Sequence, residues 1–126
     1  MFTTTISGNL TAEPELKTTQ EGRVMVDFDV AVNRRRKSAD GQYVDAPTTF
    51  IAVRAFGQLA ENLARLGKGR AVLVTGDLVT DEWTTDGQKR TKNKILASAA
   101  GPDFTRARIA EGINETLYEA RQDSDD

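Results

Sequence analysis

The chain has 126 residues, a net charge of −2, and neither cysteine nor histidine. Its length suits one domain with a modest hydrophobic core and is too short for two ordinary domains. The two absent residue types exclude disulfides, thiol nucleophiles, histidine general bases and almost every zinc or transition-metal site, so we expect no cofactor.

Alternating and β-branched segments predict the first two strands. One runs from Thr3 to Leu10, and a short extended piece at Glu15–Thr18 follows it. A turn at Gln20–Gly22 precedes the second strand, Val24–Val32, in which apolar residues occupy every other position. Strict alternation of this kind is typical of a half-buried strand.

The middle of the chain combines a polar excursion, a strand and a helix. Asn33–Pro47 is polar and basic, and its Asp40-Gly41 pair predicts a hairpin or a mobile loop. The third strand, Thr48–Phe56, has two different faces because successive side chains point to opposite sides. Gln58–Leu66 has leucines at helical spacing and predicts a short amphipathic helix that stops at Gly67.

Two further strands complete the predicted fold. Ala71–Glu82 and Arg90–Ser98 are joined through Asp86-Gly87, a dipeptide that favours two-residue hairpin turns. Five strands with one helix between the third and the fourth is the order of an OB-fold, a Greek-key barrel, although other small β folds can place a helix there. We therefore predict an all-β chain folded as a five-stranded OB-fold barrel.

The chain changes character after Gly101-Pro102. Phe104–Ala110 is consistent with an extra strand or with the start of a helix. Residues 111–126 contain six acidic residues and one basic residue, whereas residues 1–110 contain 16 basic and 13 acidic residues. We expect a mildly basic domain over residues 1–110 and an acidic tail over residues 111–126. Local basic patches matter more than total charge for phosphate binding.

Three aromatic residues are candidate stacking surfaces for bases. Phe50 and Phe56 share the face of the third strand that also carries Arg54, and two rings flanking a cation can stack bases and hold a phosphate. The same rings could instead pack against a helix or a second subunit. Trp83, the only tryptophan, stands before the predicted hairpin turn, where it could stack on a base or serve as a packing anchor.

Basic residues on three other segments are candidate phosphate contacts. Four consecutive cations enter the polar excursion, two follow the helix, and three alternate along one side of the last strand, with Lys89 directly before them. Each group is also consistent with ordinary solvated surface or, after the helix, with a favourable helix-end charge. The candidates are Arg34, Arg35, Arg36, Lys37, Lys68, Arg70, Lys89, Arg90, Lys92 and Lys94.

Nothing in the sequence predicts an enzyme or a membrane protein. Asp81 and Glu82 are adjacent carboxylates, but no nucleophile or phosphate-binding loop accompanies them. No apolar run approaches the about 20 residues that cross a bilayer, and the start at Met1 lacks the pattern of a signal peptide. We expect a cytoplasmic protein.

A series of short motifs, in order and spacing, resembles the bacterial single-stranded DNA-binding protein family. The motifs are Gly8–Lys17, Phe50–Glu61, Lys68-Gly69, Gly76–Leu78 with Trp83, and Gly101–Phe104, of which the last is similar to actinobacterial members. The resemblance covers residues 3–110. It implies an OB-fold, usually in a homotetramer, that binds single-stranded DNA without strong sequence preference in replication, recombination, repair or DNA uptake, and that is associated with the nucleoid.

The resemblance also assigns roles by position. It makes Phe50, Phe56 and Trp83 DNA-stacking residues and Lys68 a DNA contact, while it does not extend to Arg54. Arg36 lies where many members have another stacking tryptophan, and an arginine can both stack on a base and pair with phosphate.

Two features depart from the family pattern. Asp81 and Glu82 stand where members often have basic residues, which is expected to weaken binding or shift the DNA path. The sequence ends at Asp-Ser-Asp-Asp, without the long linker and final Pro-Phe through which the family recruits repair and replication enzymes, so we do not expect recruitment by that route. A shortened chain or a short second family member would explain this ending. The competing interpretation is an OB-fold adaptor whose outer aromatic face binds protein partners or RNA.

Overall fold

The computed structural model describes residues 1–33 and 35–106, except for the side chains of residues 35, 36 and 45. Within these ranges the one helix, α1, follows the sixth strand. The elements in chain order are β1 (Thr3–Leu10), β2 (Glu15–Thr18), β3 (Val24–Val32), β4 (Arg35–Lys37), β5 (Tyr43–Asp45), β6 (Thr49–Phe56), α1 (Gly57–Leu63), β7 (Ala71–Thr85) and β8 (Gln88–Pro102).

Five of these strands close into a barrel. β1 pairs with β7, β7 with β8, β8 with β6, β6 with β3, and β3 pairs again with β1. The β6–β8 pair is parallel and the other barrel pairs are antiparallel. A closed ring with one helix between its third and fourth strands is an OB-fold. The predicted all-β OB-fold is therefore confirmed.

The barrel core is built from alternate residues of its strands. In β3, Val26, Phe28 and Val30 are buried, while Asp27 and Asp29 between them point to the other side. The buried apolar cluster consists of Leu10, Val26, Phe28, Val30, Val53, Ala55, Ala60, Leu63, Val72, Val74 and Ile95. Because the core uses one face of each strand, the opposite face lies on the outside of the barrel.

The β7–β8 hairpin is longer than predicted. Thr85 pairs with Gln88, and Asp86 and Gly87 between them have φ of 52° and 76°, which suits a type I′ turn. The predicted turn is confirmed, but both strands continue beyond their predicted limits. The parts of β7 and β8 next to the turn pair with each other, and an apolar pattern in the sequence does not indicate such pairing.

Helix α1 is shorter than predicted, and Gly67 is not the residue that follows its end. It ends at Leu63, and Gly69 rather than Gly67 has the left-handed φ, at 86°. The loop after the helix is held against the end of β1, because the Gly69 N–H donates to the Leu10 carbonyl at 2.8 Å and the Leu10 N–H donates to the Arg70 carbonyl at 3.0 Å. The loop is thus attached to a strand that is remote in sequence.

The polar excursion after β3 forms a hairpin, which is one of the two predicted alternatives. Lys37 of β4 pairs with Tyr43 of β5 in a separate two-stranded sheet. At its base, the Thr48 hydroxyl donates to Oδ1 of Asn33 at 2.8 Å. Two of the predicted basic residues, Arg35 and Arg36, lie in β4 with side chains outside the described part, and residue 34 lies outside it altogether.

A buried aspartate fastens the end of β8 to the barrel. Asp103 is 2% exposed, and its carboxylate accepts hydrogen bonds from the Ser7 hydroxyl at 2.7 Å, the Thr105 hydroxyl at 2.6 Å and Arg106 Nε at 2.9 Å. Hydrogen bonds from Thr105, Arg106 and Ser7 hold the pKa of Asp103 well below its usual range. Residues 104–106 form a turn. The rest of the predicted 104–110 element and the acidic tail lie outside the described residues.

Candidate nucleic-acid interface

Phe50 and Trp83 lie on one outer surface of the barrel. Phe50 is 64% exposed and Trp83 is 45% exposed. The strand register places them on the same side. Trp83 pairs with Arg90 of β8, and Ala52, two residues after Phe50, pairs with Lys94 of β8. Arg90 and Lys94 are an even number of residues apart, so they and their partners point to the same side. From standard strand spacings their Cα atoms are about 12 Å apart. We call this surface, the outer side of β3, β6, β8 and the end of β7, the aromatic face.

Phe56 lies on the aromatic face at the other end of β6, but its ring is partly covered. The guanidinium carbon of Arg23 lies 3.8 Å from the ring centroid, which is a cation–π distance. Arg23 was not among the predicted residues, although it has the same parity as Asp27 in the alternating pattern before and within β3. One side of the Phe56 ring is therefore occupied by the guanidinium group of Arg23.

Arg54 lies between Phe50 and Phe56, and it is bound to an aspartate of the neighbouring strand. Its Nε donates to Oδ1 of Asp27 at 2.8 Å and its Nη2 donates to Oδ2 at 3.1 Å. Partial burial alone would raise the pKa of Asp27, but the hydrogen bond and charge of Arg54 bring it below the ordinary value. A phosphate that approaches Arg54 must therefore compete with a bidentate carboxylate.

The alternating cations of β8 share the aromatic face but differ in exposure. Arg90 and Lys92 are exposed, whereas Lys94 is 8% exposed and its ammonium group is ion-paired with Asp81. Lys92 pairs with Asp81 in the backbone register, two residues along each strand from the Trp83–Arg90 pair. The exposed cations at this end of the face are thus Arg90 and Lys92.

Lys89 lies on the opposite side of the β7–β8 hairpin. It pairs with Thr84, one position from Trp83, and successive side chains alternate between the two sides. Its ammonium group is 3.2 Å from Oε1 of Glu82, which lies on the same side. Glu82 therefore does not face the ring of Trp83, and of the two adjacent carboxylates only Asp81 lies on the aromatic face.

Lys68 and Arg70 form a second cationic region on the other side of Phe50. They are exposed in the loop after α1 and line a cavity of about 450 Å³ together with Asn9 and Arg106. Asn9 pairs with Ala31, which pairs with Phe50, so this region lies two strands from the Phe50 ring.

Arg106 holds Asn9 in place at one side of this region. Its Nη1 donates to Oδ1 of Asn9 at 3.0 Å and its Nη2 donates to the Gly8 carbonyl at 2.7 Å. The Nδ2 group of Asn9 in turn donates to the Gly69 carbonyl at 2.8 Å, beside Lys68. Sequence reasoning missed Asn9 and Arg106, because these contacts join segments about sixty and ninety-seven positions apart.

A cleft on the aromatic face opens over the small side chain of Ala52. Its volume is about 230 Å³, and Asp27 and Asp29 line one side while Lys92 and Lys94 line the other. The face therefore offers exposed rings, exposed cations and carboxylates that are partly neutralised by ion pairs. In residues 1–33 and 35–106 no group of three or more acidic side chains could hold a metal ion.

The chain matches the single-strand binding protein family model over residues 1–103. It belongs to the single-strand binding protein family. The members of this family are DNA-binding proteins and not enzymes, as the sequence predicted. No helix in the described ranges is long and apolar enough to cross a membrane.

Individual relatives agree with this assignment. The chain is 39% identical to the single-stranded DNA-binding protein of Thermus thermophilus over 93 residues, which is 73% of this chain and 34% of that protein. It is 38% identical to the Mycobacterium leprae protein over 110 residues, 83% of this chain and 64% of that one. The chain thus spans about a third of the Thermus protein's length.

A solved structure has a similar fold over nearly the whole of its own chain. The small single-stranded DNA-binding protein of Streptomyces coelicolor superposes with a TM-score of 0.72 and 31% identity, covering 84% of this chain and 97% of that one. This match confirms the predicted similarity to actinobacterial members.

Proposed function

We propose that this protein binds single-stranded DNA without sequence preference, in replication, recombination, repair or DNA uptake on the nucleoid in the cytoplasm. The observation that carries the proposal is the pair of exposed rings, Phe50 and Trp83, on one face with exposed Arg90 and Lys92 beside them. Family membership supports it, because the relatives are named for binding single-stranded DNA.

The mechanism follows from the chemistry of the face. Bases stack on Phe50 and Trp83, with Phe56 as a partly covered third ring, and each stacked base contributes about 1–3 kcal/mol. Every base has a flat π surface, so stacking selects no sequence. Exposed cations contact the phosphates, and each such contact makes the affinity fall with salt. In this proposal the exposed cations, Arg90, Lys92, Lys68 and Arg70, contribute more than Arg54 and Lys94, which are ion-paired.

Tryptophan fluorescence tests the proposal directly, because Trp83 is the only tryptophan. We expect emission to fall when oligo-dT is added at low salt and to recover as salt is raised, since phosphate contacts are lost. A mixed-sequence oligonucleotide should give the same result. Unchanged emission together with no gel shift, or binding to oligo-rU but not to oligo-dT, would contradict the proposal.

We also propose that copies of the chain associate, as a homotetramer by family resemblance, through a second outer surface. This apolar patch consists of Leu73, Thr75, Ala99 and Pro102, which line an open cavity of about 290 Å³; Leu73 is 42% exposed. Leu73 lies ten positions before Trp83 on β7, about 33 Å along an extended strand. Association through the patch would leave the aromatic face open to DNA.

Leu73→Glu is expected to reduce the molar mass measured by light scattering, because a carboxylate in an apolar interface is unfavourable. Leu16→Glu is the matched control, since Leu16 is 48% exposed in β2 and lies outside the patch. It should leave the mass unchanged. Equal masses for the wild type and Leu73→Glu would contradict association through this patch.

A further inference from the structure

The β4–β5 hairpin carries an exposed ring that the sequence pattern did not single out. Tyr43 is 71% exposed, so its ring is not used in the barrel core. It pairs in register with Lys37, which is also exposed, so both side chains project from the same side of the hairpin. Directly opposed residues of an antiparallel pair have Cβ atoms about 4.5–5.5 Å apart. The hairpin therefore presents a ring beside an ammonium group.

The Tyr43–Lys37 pair repeats an arrangement on the aromatic face. There Trp83 pairs with Arg90, again an exposed ring directly opposite an exposed cation. A single exposed aromatic residue needs no functional explanation. The same pair on two separate hairpins is different, because it matches a ligand in which flat bases alternate with charged phosphates.

Hydrogen bonds in the hairpin turn fix the chain just before Tyr43. The Gln42 carbonyl accepts from the Ser38 N–H at 2.7 Å and from the Ser38 hydroxyl at 2.9 Å, and the Gln42 N–H donates to Asp40 Oδ1 at 3.2 Å. Hydrogen bonds from Ser38 and Gln42 also lower the pKa of Asp40. These hydrogen bonds favour one backbone arrangement next to Tyr43, which lowers the entropy cost of stacking a base on its ring.

The base of the hairpin joins the barrel at Phe50. Val32 pairs with Thr49 at this junction, and Ala31 pairs with Phe50 one position further on. Tyr43 precedes Phe50 by seven residues, so their Cα atoms are at most about 24 Å apart. We propose that Tyr43 is a further base-stacking residue, which extends the single-stranded DNA site from Phe50 onto the hairpin. The inference rests on the proposed function and deepens it.

Tyr43→Ala tests the inference in equilibrium titrations of labelled oligo-dT, long enough to span the barrel and hairpin, at several salt concentrations. We expect the dissociation constant to rise about 5- to 150-fold. The slope of the logarithm of affinity against the logarithm of salt concentration should stay the same, because an uncharged ring is removed. Lys37→Ala should instead reduce that slope by about 0.7 for each lost phosphate contact. Tyr43→Phe keeps the ring and should bind within twofold of the wild type.

Val44→Ala is the matched control, because Val44 is the next residue of β5, is 39% exposed and has no π surface. It should bind like the wild type, which separates loss of the ring from damage to the hairpin. Wild-type affinity for Tyr43→Ala, or equal losses in Tyr43→Ala and Val44→Ala, would overturn the inference. If the wild type itself does not bind oligo-dT, the proposed function fails; if it binds and Tyr43→Ala is unchanged, only this inference fails.

Discussion

The double variant Phe50→Ala/Trp83→Ala should bind oligo-dT about 30- to 25,000-fold more weakly than the wild type, because each lost stacking interaction contributes about 1–3 kcal/mol. The two rings are about 12 Å apart at the backbone, so their contributions should add with little coupling. Each single variant should therefore account for about half of the loss in free energy. The loss is large because both exposed rings of the barrel face are removed.

The measurement is fluorescence anisotropy of a labelled oligonucleotide, because the double variant has no tryptophan. Phe104→Ala is the control: Phe104 is 50% exposed in the turn after β8, away from Phe50 and Trp83 in the strand register. It should leave the affinity unchanged. If the double variant binds like the wild type while thermal unfolding shows it folded, the aromatic face is not the DNA site. The competing interpretation, an adaptor that binds proteins through this face, would then gain support.

The parity of β6 allowed the aromatic face to be predicted from the sequence. A strand has a period of two, so Phe50, Ala52, Arg54 and Phe56 had to share one side, and the apolar residues between them had to face the core. The alternation of β3 and the Asp-Gly turn of the long hairpin are equally local signals. These local patterns, the order of the elements and the resemblance to the family together predicted the OB-fold.

Whether each cation on the aromatic face is ion-paired could not be predicted from such patterns. Whether Arg54 is available depends on Asp27, twenty-seven residues earlier, which lies directly opposite it only because β3 and β6 have that register. Lys94 is buried against Asp81 for the same kind of reason. Alternation predicts which side a residue faces, whereas cross-strand register determines the residue it contacts.

The barrel gives a physical reason why the Gly76–Leu78 motif begins with glycine. Gly76 lies where the register between β7 and β8 shifts, since Thr75 pairs with Ala99 but Gly76 pairs with Ala97. The extra residue of β8 forms a β-bulge, which bends the strand across β7. At this crossing a Cβ on Gly76 would overlap the Leu96 carbonyl oxygen and lie 2.8 Å from the Ala97 Cα. Both are backbone atoms, so no side-chain rotation can relieve the overlap.

Gly76→Ala should therefore lower the free energy of unfolding by about 3 kcal/mol, equivalent to a fall of about 12–24 °C in Tm for a domain near 100 residues. To accommodate the methyl group, β7 and β8 must separate, which opens the ring that closes the core. Gly67→Ala is the control, because no atom lies within 4 Å of its added Cβ and its φ is not positive. Alanine there should change stability by less than about 1 kcal/mol. Thermal unfolding followed by circular dichroism, at one protein concentration because association raises Tm, measures both. Equal Tm values for the two variants would show that the strands relax around the bulge and that the close approach at Gly76 does not hold the barrel closed.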